Sequence, residues 1–176
     1  MHPLSESGKI MIIGNCGTGK STLARNLSER LNIPIIHLDT FKFKPGWEEI
    51  DNNTFNLKVE NEMNVRPKWI IDGNYSSSFE KRSNAADTII LLKVPLILSY
   101  MRILKRRLIY HKKVRPDVAE GCIENLNWDM MKWVWAYKKR AEGKTNVLIE
   151  KNRKIKKIFV LDSPKKVKEF VSSIEI

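Results

Sequence analysis

Eight consecutive residues, Gly14-Asn15-Cys16-Gly17-Thr18-Gly19-Lys20-Ser21, match the spacing G-x-x-x-x-G-K-[ST] in full. That spacing suits a polyphosphate. Successive backbone N–H groups must point inward at phosphate oxygens, which calls for glycine where φ is positive or where a Cβ would meet the ligand, and the helix that follows adds its positive end. Lys20 supplies a point charge to the β and γ phosphates, and Ser21 offers a hydroxyl to Mg²⁺. Asn15, Cys16 and Thr18 contribute mainly main chain, and Thr22 follows in the first helical turn.

Other residue types with chemistry to offer are scattered. Asp72 follows an apolar run and is placed to assist a metal, either through water or through Ser21, although a lone Asp at a strand end also serves as a helix cap or turn residue. His37, inside a strand, reads as a satisfied core histidine, and His111, among lysines, as surface. Phe41, Phe43 and Trp47 form an aromatic cluster that either stacks on a base or packs a small subdomain, with packing favoured. Cys16 and Cys122 stand apart with no CxxC pair, so the sequence supports neither a zinc site nor a disulfide framework.

The elements that must hold these residues alternate short apolar runs with helical periods, the signature of βα units around a parallel sheet. Strands are expected at Lys9 to Ile13, Pro34 to Leu38, Trp69 to Ile71, Thr88 to Leu92 and Ile158 to Leu161. The phosphate-loop helix spans Ser21 to Leu31, with Leu23, Leu27 and Leu31 on one face. Asp51 caps a helix whose apolar face is Phe55, Val59 and Met63. Pro95 to Ile109 is expected to be helical, with Met101, Leu104 and Leu108 toward the core and Arg102, Lys105 and Arg106 opposite. Asn125 to Arg140 forms another helix, in which Trp128, Met131, Trp133 and Trp135 read as packing residues. Thr145 to Asn152 is read as helix, and a last helix follows Ser163 as N-cap and Pro164, with Val167, Phe170, Val171 and Ile174 on one stripe.

The 176 residues suit one domain, and no apolar run approaches the ~20 residues a membrane helix needs. With no secretory leader in view either, the chain is expected in the cytoplasm, with no membrane partner. The formal net charge of +12 is confined to two stretches. Residues 88–116 contain eight basic and no acidic side chains, and residues 151–168 hold eight basic against the single Asp162. The first stretch fits an anion site and the second a solvated face; a nucleic acid is the alternative partner, though no DNA-reading motif supports it. An Asn-Lys-x-Asp base-reading motif and a Ser-Gly-Gly signature are both absent, which sets aside GTPases and ABC ATPases.

What remains is a small kinase, and the sequence resembles the adenylate-kinase-like phosphate-loop (P-loop) proteins, within them the group called DNA topology modulation proteins. The carriers are IIGNCGTGKSTLA from Ile12 to Ala24, His37-Leu38-Asp39 with Pro45-Gly46-Trp47, Trp69 through Tyr75, and Arg115-Pro116-Asp117 leading to Ala119-Glu120-Gly121-Cys122. The resemblance implies a three-layer α/β P-loop NTPase fold, a five-stranded parallel sheet in the order 2-3-1-4-5 flanked by helices, in a single domain over 1–176. It also implies an acceptor-binding segment at about 40–66 and a lid at about 110–123. ATP and Mg²⁺ are the implied cofactors. By position, Arg102 lies near the adenine, Arg106 and Arg115 close on the phosphates, and Asp39 is the base or orienting group for an acceptor hydroxyl, with Trp47, Asn74 and Tyr75 beside that acceptor. One departure stands out: adenylate kinases follow the third-strand Asp-Gly with Phe-Pro-Arg, whose arginine grips the acceptor phosphate, whereas this chain has Asn74-Tyr75-Ser76. The implied reaction is phosphoryl transfer to an acceptor that the sequence leaves unnamed; the alternative is a nucleotide-dependent DNA-binding protein without kinase activity.

Overall fold

The computed structural model describes residues 4, 6–125, 128–137 and 141–174. Five parallel strands form its centre: β1 (Lys9–Gly14), β2 (Ile35–His37), β5 (Trp69–Asp72), β6 (Thr88–Leu92) and β7 (Lys157–Leu161). Their order is β2-β5-β1-β6-β7, which among these five is the expected 2-3-1-4-5. Two further two-residue strands, β3 (Phe43–Lys44) and β4 (Glu48–Glu49), make a small antiparallel hairpin across Pro45–Trp47.

Helices cover both faces of the sheet, which is why β1, β5 and β6 read as nearly unbroken apolar runs. Successive side chains alternate. Ile10 and Ile12 pack with Leu23, Leu27 and Phe170 of helices α1 (Lys20–Leu31) and α8 (Pro164–Ser172). Met11 and Ile13 pack on the other face with Phe55, Val59 and Met63 of α3 (Asn52–Val65), Phe79 of α4 (Phe79–Ala85) and Leu148 and Ile149 of α7 (Gly143–Asn152). The Asp51 carboxylate accepts from the N–H groups of Asn53 and Thr54, and Ser163 accepts from Lys166, so both expected N-caps are in place. The stretch read as helix near Thr145 is α7. A short α2 (Leu38–Lys42) precedes the hairpin, and no described helix is long and apolar enough to cross a membrane.

Two helices present faces other than those the periodicity suggested. In α5 (Leu96–Ile109), Met101, Leu104 and Leu108 are 59%, 45% and 80% exposed, whereas Ser99 and Ile103 are buried with Arg102 and Arg106 beside them. The cause is close approach to the phosphate loop. A Cβ at Gly17 would lie 2.5 Å from the Ser99 carbonyl, so α5 must turn a small side chain inward there, and the larger apolar residues are left outside. In α6 (Trp128–Trp135), Val134 is the buried residue, while Trp128, Trp133 and Trp135 are exposed instead of packing the core. The flanking parts of the expected 125–140 helix at 126–127 and 138–140 lie outside the described residues.

Candidate functional site

Strand register gathers the site. In the parallel ladder Asp72 stands beside Ile12 on one side and His37 on the other, and Gly14 stands beside Leu92, so the strand ends deliver an acid, an imidazole and the start of the phosphate loop to one edge. This carboxyl edge of an open α/β sheet is where ligands bind in such folds. Between β1 and α1 the chain turns through Gly14, Gly17 and Gly19, all at positive φ. At Gly14 and Gly17 a Cβ would also collide with the carbonyls of Leu92 and Ser99, at 2.5 Å in each case, so neighbouring main chain as well as ligand space demands glycine. Helix α1 starts at Gly19 with no side-chain cap, which leaves its first N–H groups directed at the cleft.

Inside the loop, Asn15 is the organising residue. Its side chain accepts from the Cys16 N–H at 2.8 Å and donates to the Val134 carbonyl at 3.0 Å, tying the loop to α6. Its own carbonyl accepts from Lys20 Nζ and from the Thr18 hydroxyl, both at 2.8 Å. Arg102 Nη1 donates to the Thr18 carbonyl at 2.7 Å, which fixes α5 against the end of the loop. Thr22 is exposed in the first turn of α1.

Beside the loop lie three acids in different states. His37 Nδ1 and Asp72 Oδ1 are 2.6 Å apart. Burial opposes protonation of the imidazole, but the hydrogen bond and charge of Asp72, with Asp117 adding to them, hold its pKa above the ordinary histidine value. Asp39, in the first turn of α2, accepts from the Tyr75 hydroxyl at 2.7 Å. Burial raises the Asp39 pKa; the Tyr75 hydrogen bond opposes that and the charge of Asp72 reinforces it, while Arg115 and Lys20 are close enough to pull it down. Tyr75 itself is pushed up by burial and by Asp39. Asp117, by contrast, lies below the carboxylate range: burial works upward, but Arg115 and the neighbouring Ser21 hydroxyl outweigh it. Thus Asp117 shares the surroundings of Ser21, and the Asp72 carboxylate is engaged with His37.

Arg106 and Arg115, from α5 and the segment after it, meet on Glu124. Arg106 Nε donates to Glu124 Oε1 at 3.0 Å, and Arg115 Nε lies 2.6 Å from Oε2, too bent for a hydrogen bond but a close ion pair. Arg115 Nη1 also donates to Asp117 Oδ2 at 3.0 Å. The segment that carries these acids is sewn to the β3–β4 hairpin. Gly46 N–H donates to the Gly121 carbonyl at 3.1 Å, Trp47 Nε1 to the Ile123 carbonyl at 2.7 Å and the Cys122 thiol to the Lys44 carbonyl at 3.2 Å. Trp47 adopts φ 67°, packs edge-on against Phe43 and lies beneath the Arg115 guanidinium. The aromatic pair therefore packs against its own chain. Replacing Arg115 by Met leaves Glu124 and Asp117 without a principal counter-charge in a buried setting; the expected cost is about 3–5 kcal/mol, read as a fall in the urea midpoint, and an unchanged midpoint would contradict the ion-pair assignment.

Two features on the acceptor side complete the geometry. Asn74 Oδ1 is buried with no hydrogen-bond partner among the described residues, an oxygen in need of a donor. Arg82, which sequence reasoning missed, is fully buried in α4 and holds the turn after β5, donating to the carbonyls of Gly73 at 3.1 Å and Tyr75 at 2.8 Å and to the Ser78 hydroxyl at 2.9 Å. Burial brings its pKa down to about 9, with Asp72 and Tyr75 opposing. Nothing local flags Arg82 in the polar run FEKRSNA.

No family model matches the sequence, and no curated protein matches it. Among solved structures, a shikimate kinase from Bacteroides thetaiotaomicron is similar at 20% identity over 94% of this chain and 95% of that one, with a TM-score of 0.54. A deoxyadenosine kinase from M. mycoides, with products dCMP and a flexible dCDP bound, is similar at 17% identity over 93% and 94%, with a TM-score of 0.50. A shikimate kinase from Acinetobacter baumannii in complex with shikimate aligns at 17% identity over 80% and 96%, with a TM-score of 0.46. The chain shares with the first two the α/β fold of P-loop kinases.

Proposed function

We propose that the chain is an ATP- and Mg²⁺-dependent phosphotransferase acting in the cytoplasm on a small hydroxyl-bearing acceptor. The observation that carries this reading is the phosphate loop with its uncapped helix start, beside the half-buried Asp39 carboxyl, whose pKa is raised by desolvation. Backbone N–H groups from Gly14 to Ser21 cradle the phosphates, Lys20 turns from the Asn15 carbonyl to the β and γ oxygens, and Arg102 borders the adenine. Ser21, with Asp72 or Asp117 through water, fits the ligand set of a magnesium ion, which when bound neutralises phosphate charge.

Asp39 accepts the proton of the acceptor hydroxyl as its oxygen bonds to the γ phosphorus and the bond to the β–γ bridging oxygen breaks, releasing ADP. Tyr75 holds Asp39, Asn74 Oδ1 takes a hydrogen bond from the acceptor, and Arg106 and Arg115 balance the charge of the moving phosphoryl group. Residues 40–66, including Trp47, act as the acceptor-binding segment, and residues 110–123 as the lid. The absence of an arginine at the Phe-Pro-Arg position favours an acceptor without a phosphate. The alternative of DNA binding gains less support: Arg102, Arg106, Arg107 and Arg115 turn toward the site, and on the second basic stretch Lys151, Lys165 and Lys166 each pair with a surface acid.

The test is ADP release across nucleosides, nucleoside monophosphates, sugars and small hydroxy acids, with Lys20→Ala as blank. One acceptor class should raise ADP release well above the blank. A flat panel would overturn transfer, and steeply salt-dependent binding to duplex DNA in its place would favour the sensing alternative.

A further inference from the structure

Glu124 lies just beyond the motif stretch that ends at Cys122, and nothing in its spacing singles it out. Its side chain is 2% exposed, and each carboxylate oxygen meets the Nε edge of a different arginine. Its main chain is fixed as firmly. Its N–H donates to the Lys113 carbonyl at 2.9 Å, its carbonyl accepts from Arg107 Nη1 at 3.0 Å, and Val114 bridges Ile123 beside it.

The opposite ends of the two guanidinium groups are engaged differently. Among the described residues, Arg106 Nη1 reaches only Cys16 Sγ, at 4.0 Å, and Nη2 only Met130 Sδ, at 3.9 Å; sulfur is a weak acceptor that a phosphate oxygen readily displaces. Because Cys16 belongs to the phosphate loop, Nη1 is already aimed there. Arg115 Nη1 donates to Asp117 Oδ2 at 3.0 Å, and Asp117 shares the surroundings of Ser21, so this guanidinium also borders the phosphate loop.

We infer that Glu124 is a positioning residue: it grips the Nε edges of Arg106 and Arg115 so that the Nη groups of Arg106, and the Nη2 of Arg115 beside its Asp117-bound Nη1, are presented to the terminal phosphate. The inference rests on the phosphotransferase reading, in which these two arginines serve the γ phosphoryl group. A buried carboxylate shared by two cations keeps both in place where otherwise they would repel each other in a poorly solvated setting. Glutamine in its place keeps the shape, but its amide nitrogen is a donor and must confront one of the two arginines, which then loses its anchor.

The experiment compares the binding of a non-hydrolysable ATP analogue and of ADP, each with magnesium, by calorimetry on the full chain. In wild type the triphosphate should bind more tightly than the diphosphate, and Glu124→Gln should reduce that ratio by about tenfold or more. In an Arg106→Lys background, Glu124→Gln should add less than it does alone, because part of its effect passes through Arg106. If Glu124→Gln fails to fold, Glu124→Asp keeps the charge but is too short to reach both arginines, and it too should lower the ratio. A folded Glu124 variant with the wild-type ratio would overturn the inference. Failure of the wild type to bind either nucleotide would instead defeat the phosphotransferase reading, so the two failures are distinguishable.

Discussion

Replacing Lys20 by alanine should abolish the thermal stabilisation that ATP with magnesium confers, while lowering the melting temperature without nucleotide by only about 2–4 °C. The second half follows from the contacts of Lys20. Its ammonium group makes one hydrogen bond, to the Asn15 carbonyl in a half-buried loop, and contributes nothing to either apolar cluster. Losing it costs on the order of 1 kcal/mol. The first half follows from charge: Lys20 is the ammonium group of the loop itself, and the backbone N–H groups alone hold a polyphosphate less well. At a nucleotide concentration of about 100 times Kd, wild type should gain about 2.7 kcal/mol, roughly 5–10 °C for a chain of this size. Differential scanning calorimetry of both proteins with and without ATP and magnesium makes the comparison. A Lys20→Ala protein that retained the full shift would refute the nucleotide site.

Asp39→Asn should have two opposite effects. In the proposed role of base for the acceptor hydroxyl, Asp39 would supply roughly 10²–10⁴ in rate, and an amide cannot take the proton, so transfer should fall by that factor once an acceptor is identified. Stability should move the other way. Burial sets the Asp39 pKa above its unfolded value, so the folded chain binds the proton more tightly than the unfolded one does. The stability this contributes is complete below the ordinary carboxylate pKa and is lost as pH rises through the raised one. As pH rises above the ordinary carboxylate range the wild type therefore bears a cost at this half-buried position that asparagine avoids, and asparagine still accepts the Tyr75 hydrogen bond. The melting temperature of Asp39→Asn should exceed that of wild type near pH 7, and the gap should close as pH falls toward about 4. An equal melting temperature at both pH values, with activity intact, would remove Asp39 from the role assigned to it.

Sequence reasoning found what is written locally. The loop between β1 and α1 is eight adjacent residues whose glycine spacing is itself the signal, and the five sheet strands announce themselves as apolar runs. It misjudged α5 because Met101, Leu104 and Leu108 make an apolar stripe, whereas the inward face is chosen by the need for a small residue, Ser99, against Gly17. The tryptophans of α6 misled in the same way, since hydrophobicity does not say which side of a short helix meets the protein. The β3–β4 hairpin is too short for period-two alternation to register. Glu124 and Arg82 had no signal to give. The role of Glu124 depends on arginines 9 and 18 positions away, and that of Arg82 on carbonyls 7 and 9 positions back.

The hydrogen bonds from Gly46, Trp47 and Cys122 across to the facing backbone join the two flaps of the cleft into one shutter. Neither segment can swing by itself without breaking them, so if they serve as the proposed lid and acceptor segment, a compound held between them would be released only when both open together. On that proposal, the opening resisted by three hydrogen bonds and a tryptophan held in a left-handed backbone would set an upper bound on turnover that faster chemistry could not raise.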